Sequence, residues 1–235
     1  MSKVLVIIKS MGIGDLCILI SNIHAISEKN SAPVTVLVQK NTKAKYILRH
    51  DPHIEEVIEL NEKEIKGFYS IIKKIKPYGF GQSYIYSDSI RLYLIAKIAG
   101  IKNIFHYKFF SKKGKNFFKT AKIFTEKVLK TEINPQSKIY WNKNDIENAK
   151  KKYDITKNTK NYIISPSASG NTKRWDVNNF IRLLEELSKK NPSKFFITAG
   201  PNDKSINSEL ILRSGHKASN NSTNRSVGSP DNRSV

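Results

Sequence analysis

Cysteine is almost missing from this chain. Cys17 is the only one in 235 residues, which excludes an intrachain disulfide and any metal centre built from several thiolates. Long apolar runs are missing too. Nothing approaches the roughly 20 apolar residues that a membrane-spanning helix needs. The N-terminal run Val4–Ile8 is closed by Lys9 and is too short for a signal-peptide core. Acids are scarce: 20 Asp and Glu face 41 Lys and Arg, a net charge of +21. Either the surface is simply lysine-rich and solvated, or the partner is anionic: nucleic acid, anionic lipid or a phosphorylated glycan. No Cys-x-x-Cys spacing occurs, and no metal ligands are assigned. The histidines are scattered, with His24 in a helix and His50 and His53 in a loop region; they read as structural or solvated. A soluble, cytoplasmic protein is expected, with peripheral membrane contact as an option.

What is present is an alternation of strands and helices, in a chain whose hydrophobic fraction of 39% suffices for a core. Strands are predicted at Val4–Ile8, Val34–Val38, Val57–Leu60, Ser83–Tyr86 and Asn103–His106. Helices are predicted at Asp15–Ser27, Lys43–Arg49, Glu62–Ile75 and Ser89–Ala99. This rhythm argues for an α/β fold with a parallel sheet covered on both faces. Lys102–Lys130 holds nine lysines and one acid, Glu126, interleaved with aromatics. Within it, Lys115–Leu129 is expected to be an amphipathic helix whose Phe117, Ala121, Phe124 and Val128 pack on the first domain. The alternative is a basic, aromatic surface for an anionic lipid or glycan. Asn144–Tyr153 reads as a polar helix. A second α/β unit starts at Asn161, with helix Val177–Lys190, strand Phe195–Ala199 and helix Ser205–Leu212. The domains are therefore 1–155, a partial 156–213, and a polar tail, 214–235, that has too few apolar residues to offset ordering entropy.

Three loops follow strands and carry chemistry. Ser10-Met11-Gly12-Ile13-Gly14-Asp15 comes after the first strand. Gly12 and Gly14 allow a tight turn and close ligand approach. Asp15 is either a helix N-cap or a general base at the carboxyl edge of a parallel sheet. The third glycine of a dinucleotide fingerprint is missing. Second, Ser165-Pro166-Ser167-Ala168-Ser169-Gly170-Asn171-Thr172-Lys173-Arg174-Trp175 joins a strand to a helix. Small residues, a helix N-terminus and two cations favour a phosphate or diphosphate. The bland reading is a polar turn, with Asn171-Thr172 as cap, Trp175 packing, and Lys173 and Arg174 solvated. Third, Ile197-Thr198-Ala199-Gly200-Pro201-Asn202-Asp203 ends another strand in a glycine loop.

In their order, these loops resemble glycosyltransferase family nine, the ADP-heptose:lipopolysaccharide heptosyltransferases. Lys3–Ile26 is similar to the family's opening strand, Gly-Asp turn and helix; Ser167–Phe180 to its small-residue loop ending in Lys-x-Trp; Phe196–Asp203 to its later glycine loop. The resemblance implies a GT-B-like architecture of two Rossmann-like domains and an inverting, metal-independent sugar transfer. It implies no cofactor: the nucleotide-sugar donor, ADP-linked, is a substrate, and the acceptor is an anionic glycan or glycolipid of the bacterial cell envelope. By the same resemblance Asp15 is the catalytic base. Ser167, Ser169 and Lys173 hold the donor diphosphate, Gly200 gives close approach and Asp203 contacts the donor. Ser21 stands near a place where the family has proline. The family's later glycine-rich, histidine-bearing segment has no match, which implies a truncated C-terminal domain. Two other readings stand beside this one: an inactive truncated remnant, and a basic nucleic-acid-binding protein whose affinity falls steeply with salt. No recognition motif supports the latter, and no specific nucleic acid is expected.

Overall fold

The computed structural model describes residues 2–9, 12–108, 116–166, 168, 171–198, 208 and 210. The chain forms two compact units, Met1–Asn142 and Lys143–Val235.

The first unit is built on five parallel strands: β1 Val4–Ile8, β2 Val34–Gln39, β3 Ile54–Leu60, β4 Gln82–Tyr86 and β5 Asn103–His106. Their order is β3-β2-β1-β4-β5. Strand β1 lies at the centre and is buried along its whole length, as expected for a parallel sheet covered on both faces. Side chains alternate between two cores. Val4, Val6, Ile8, Val34, Val36, Val38, Tyr84 and Tyr86 enter one. Leu5, Ile7, Leu37 and Ile85 enter the other.

Two helices cover the first face. Helix α1, Ile13–Asn30, inserts Leu16, Leu19, Ile20, Ile23 and Ile26. After the short α2, Ala44–Ile47, and the helices of the other face, α6, Phe117–Leu129, closes the same core with Ala121 and Leu129. Its Phe117, Phe124 and Val128 pack there too, which is the packing role expected from the sequence. The opposite face is covered by α4, Phe68–Ile75, and α5, Ile90–Ile98. Burying one Leu or Ile side chain stabilises by about 1.5–3 kcal/mol, so these two layers supply the main driving force.

One expected helix is two. The span read as Glu62–Ile75 breaks at Gly67 into α3, Glu62–Lys66, and α4. Gly67 is extended, at φ −80° and ψ 124°. A Cβ there would clash with Ser70 Oγ, which donates to Glu64 O at 2.7 Å. Asn61 then begins α3 with a reciprocal capping box to Glu64.

A polar thread ties α6 to the sheet. Tyr86 Oη lies 2.8 Å from Thr125 Oγ1, and Thr125 Oγ1 lies 2.8 Å from Asn22 Oδ1 on α1. Thr125 has one hydroxyl proton to share between Asn22 and the Ala121 carbonyl at 2.9 Å, so Tyr86 is the donor to Thr125. Burial raises the Tyr86 phenol well above its ordinary pKa, which keeps that proton in place.

The second unit contains α7, Lys143–Tyr153, β6, Lys160–Ile164, α8, Val177–Lys190, and β7, Ser193–Ile197. Strands β6 and β7 pair in parallel, with Tyr162 opposite Phe195 and Ile164 opposite Ile197. The core is small: Ile164, Leu184 and Leu210, with Tyr162, Val177, Phe180, Phe195 and Ile197 against it. Of the expected helix Ser205–Leu212, only Ser208 and Leu210 are described, both helical. The sequence places the domain boundary near 155, whereas the division into units falls before α7. Tyr153 meets Phe196 edge-on at 5.8 Å, and Lys194 Nζ donates to Tyr153 O at 2.8 Å and Asp154 O at 2.7 Å. The tail 214–235 lies outside the described residues. Among the described residues, no helix is long and apolar enough to cross a membrane.

Candidate functional site

In the first unit the strand order reverses beside β1: β2 and β3 lie to one side, β4 and β5 to the other. The crevice at the carboxyl ends of β1 and β4 is where such sheets bind ligands. Asp15 follows β1 in the first turn of α1. It is the third residue of the helix, and the capping position belongs to Gly12, which has no side chain to accept from the helix N–H groups. The N-cap reading of Asp15 is therefore corrected. Its carboxylate is half-buried and, among the described residues, makes no hydrogen bond or ion pair.

The glycines serve room rather than turning. Gly12 has φ −106°, which any residue adopts, and Gly14 is not at positive φ either. A Cβ on Gly12 would stand 3.5 Å from Asp15 Oδ2, and one on Gly14 would meet nothing within 4 Å. The expected need for a tight glycine turn is thus corrected; bare surface above the helix start is what the pair leaves. Gln39 Nε2 donates to Lys9 O at 3.0 Å and pins one side of this edge. On the β4 side, Ser87-Asp88-Ser89 follows the strand; Ser87 is buried and its Oγ accepts from Ser89 N at 3.2 Å. Sequence reasoning missed this wall, although a strand running into Ser-Asp-Ser was a visible signal.

In the second unit, the loop after β6 reaches the short 3₁₀ turn Asn171–Lys173. Lys173 is exposed and, among the described residues, engages no acid. Arg174 Nε donates to Ala168 O at 3.3 Å across the loop. The cap of α8 is Asp176, whose carboxylate accepts from Asn178 N at 2.8 Å. Two sequence expectations change. Asn171-Thr172 does not cap α8, and the α8 N-terminus already carries an acid, so it is not vacant for a phosphate. Among the described residues, the cations of this loop are Lys173 and Arg174. Trp175 does pack, edge-on to Phe180 at 4.9 Å. Ser167, Ser169, Gly200 and Asp203 lie outside the described residues.

The first unit also holds a polar cavity of about 430 Å³ beside α1. His24 Nε2 lies 2.7 Å from Asp51 Oδ2, and the His53 ring stacks on His24 at 4.3 Å. The histidines are thus not scattered, as their sequence spacing implies: two meet at one buried acid. Burial, with His24 next, lowers the pKa of His53 and favours its neutral form. The local sequence gives no warning, because His24 and Asp51 are separated by the end of α1, strand β2 and the short helix α2.

Comparison with known proteins sets these sites in context. Residues 115–221 match the family description "Glycosyltransferase family 9 (heptosyltransferase)". That span includes Ser167, Ser169, Lys173, Gly200 and Asp203 but not Asp15. No curated protein matches by sequence. Among solved structures, a glycosyl transferase family 9 protein from Veillonella parvula superposes with TM-score 0.72 at 13% identity, over 92% of this chain and 67% of that one. E. coli ADP-heptose lps heptosyltransferase II gives 0.67 at 14%, over 90% and 68%. E. coli heptosyltransferase WaaC with ADP-2-deoxy-2-fluoro heptose gives 0.59 at 10%, over 89% and 73%. The fold is that of GT-B glycosyltransferases. The chain therefore resembles glycosyltransferase family 9 in its fold and, over residues 115–221, in its sequence.

Proposed function

We propose that this protein transfers a hexosyl or heptosyl group from an ADP-linked donor to a hydroxyl of an anionic glycan or glycolipid acceptor, of the lipopolysaccharide-core kind. Transfer proceeds with inversion and without a metal ion. The observation that carries this reading is Asp15: a carboxylate unengaged among the described residues, at the carboxyl edge of the central strand, at the point where strand order reverses. Asp15 accepts the proton of the acceptor hydroxyl as that oxygen attacks the anomeric carbon. The bond from that carbon to the diphosphate oxygen breaks in the same displacement, and the electron pair leaves with the nucleotide diphosphate. Lys173, an exposed cation without an acidic partner among the described residues, stabilises the charge that develops on the leaving group. Arg174 supports it. Donor contacts by Ser167, Ser169, Gly200 and Asp203 rest on the family match that spans them. The +21 charge suits a phosphorylated acceptor and contact with the inner face of the cytoplasmic membrane.

The test is turnover of an ADP-sugar by Asp15→Asn, which keeps the side chain's shape and removes the base. The expected loss in kcat is about 10²- to 10⁴-fold, with donor binding retained. A variant that turns over at the wild-type rate would remove Asp15 from the chemistry.

A further inference from the structure

The cavity beside α1 is remote from the transfer edge. His24 stands nine residues after Asp15 on the same helix, about 14 Å along its axis at about 1.5 Å per residue. We propose that this cavity binds a divalent transition-metal ion of the zinc class through His24, Asp51 and His53. One ring nitrogen of each histidine and one carboxylate oxygen of Asp51 all lie within 4.8 Å of one another. Two imidazoles and a carboxylate form a donor set suited to zinc. Bonds of about 2.0–2.1 Å in a tetrahedron put ligand atoms about 3.3 Å apart. The trio therefore needs to close by about 1.5 Å at its widest, a shift within reach of the half-buried His53 ring.

The surroundings already orient the ligands, as outer partners do in metal sites. The His53 backbone N–H donates to Asp51 Oδ1 at 3.0 Å, and Ser27 Oγ lies 3.3 Å from His53 Nδ1. Asp51 is buried at 5% exposure, so its carboxylate is withdrawn from water and gains from a cation. Independently, Ser21 lines the same cavity, is 4% exposed, and its Oγ has no partner among the described residues. A buried hydroxyl left unpaired costs stability; a water or anion on the ion's open position would engage it. The cavity rim is mixed, with Glu28 and Glu132 against Lys29 and Lys138. An ion here would clamp α1, and so the helix that carries Asp15, to the turn that leads into β3.

The experiment uses the full chain, stripped with a chelator and titrated with Zn²⁺ by calorimetry and Co²⁺ by visible absorption. One equivalent is expected, with the intense bands of four-coordinate Co²⁺ and a rise in Tm on adding Zn²⁺. His53→Ala, which removes a direct ligand, should weaken Zn²⁺ binding by more than the roughly 10- to 100-fold that loss of an outer partner costs, and abolish the Tm response; Asp15→Asn should change neither. Failure of wild type to bind one equivalent would overturn the site, as would His53→Ala binding like wild type. Asp51→Asn is a second check; if loss of the buried acid prevents folding, His53→Ala decides alone. Because the readout is binding and not turnover, its failure leaves the transferase reading untouched.

Discussion

The two units solve the same folding problem with very different resources. In the first, five parallel strands are sandwiched between helices, and β1 is buried at every residue. In the second, two strands meet one described covering helix, and Ile163 in β6 is 75% exposed. Both units place chemistry-bearing loops at the carboxyl ends of their strands. The first does so on a rigid frame, the second on a core of a few residues. On the proposed function, the difference teaches that a general base would need a fixed position, which deep packing supplies, whereas a diphosphate site would need charge first, which an exposed turn can present.

The comparison can be broken most sharply at the cores. Leu19→Ala in α1, a fully buried residue, should cost about 2–5 kcal/mol and lower the melting of the first unit. Leu184→Ala should instead expose only the second unit to protease. Cleavage spread evenly over both units in either variant would show that they fold as one.

A smaller effect separates charge from scaffold. Lys173→Ala should leave melting unchanged, because the side chain is exposed. It should reduce kcat/KM for the donor by about 10- to 100-fold, the equivalent of one charged hydrogen bond of about 1.5–3 kcal/mol. An unchanged kcat/KM would take Lys173 out of donor binding.

Next comes the polar thread of the first unit. Thr125→Val removes the hydroxyl that Tyr86 and Asn22 share. Leaving those groups unpaired should cost about 1–3 kcal/mol, measured by denaturant unfolding. A neutral result would mean that the thread only accompanies the packing.

The smallest expected effect lies in the second unit. Asp176→Ala removes the α8 cap and should cost about 0.5–2 kcal/mol. It also frees the helix N-terminus, so donor affinity should hold or rise. A fall in affinity would show that Asp176 itself contacts the donor.

Much of the frame was legible. The apolar runs of β1, β2 and β4 and the spacing of α1, α6 and α8 state their own class, because periods of 2 and 3.6 are local. Bounds shifted by a few residues, as at β3, which starts at Ile54 instead of Val57. The break at Gly67 was hidden: glycine inside a helical pattern is tolerated, and only the Ser70 hydroxyl folded against it forbids a Cβ. The cap of α8 is Asp176, one residue before the helix; the polar residues of the preceding loop offer competing cap signals.

By itself, then, the sequence determined the α/β class, the parallel sheet and the strand-end loops that carry Asp15 and Lys173. Their signals lie within a few residues along the chain. Only the tertiary structure decided that β1 is central with the strand order reversing beside it. Only it brought His24, Asp51 and His53 to one cavity. Contacts between residues far apart in sequence depend on which elements pair and on which face each helix covers. No local period encodes that.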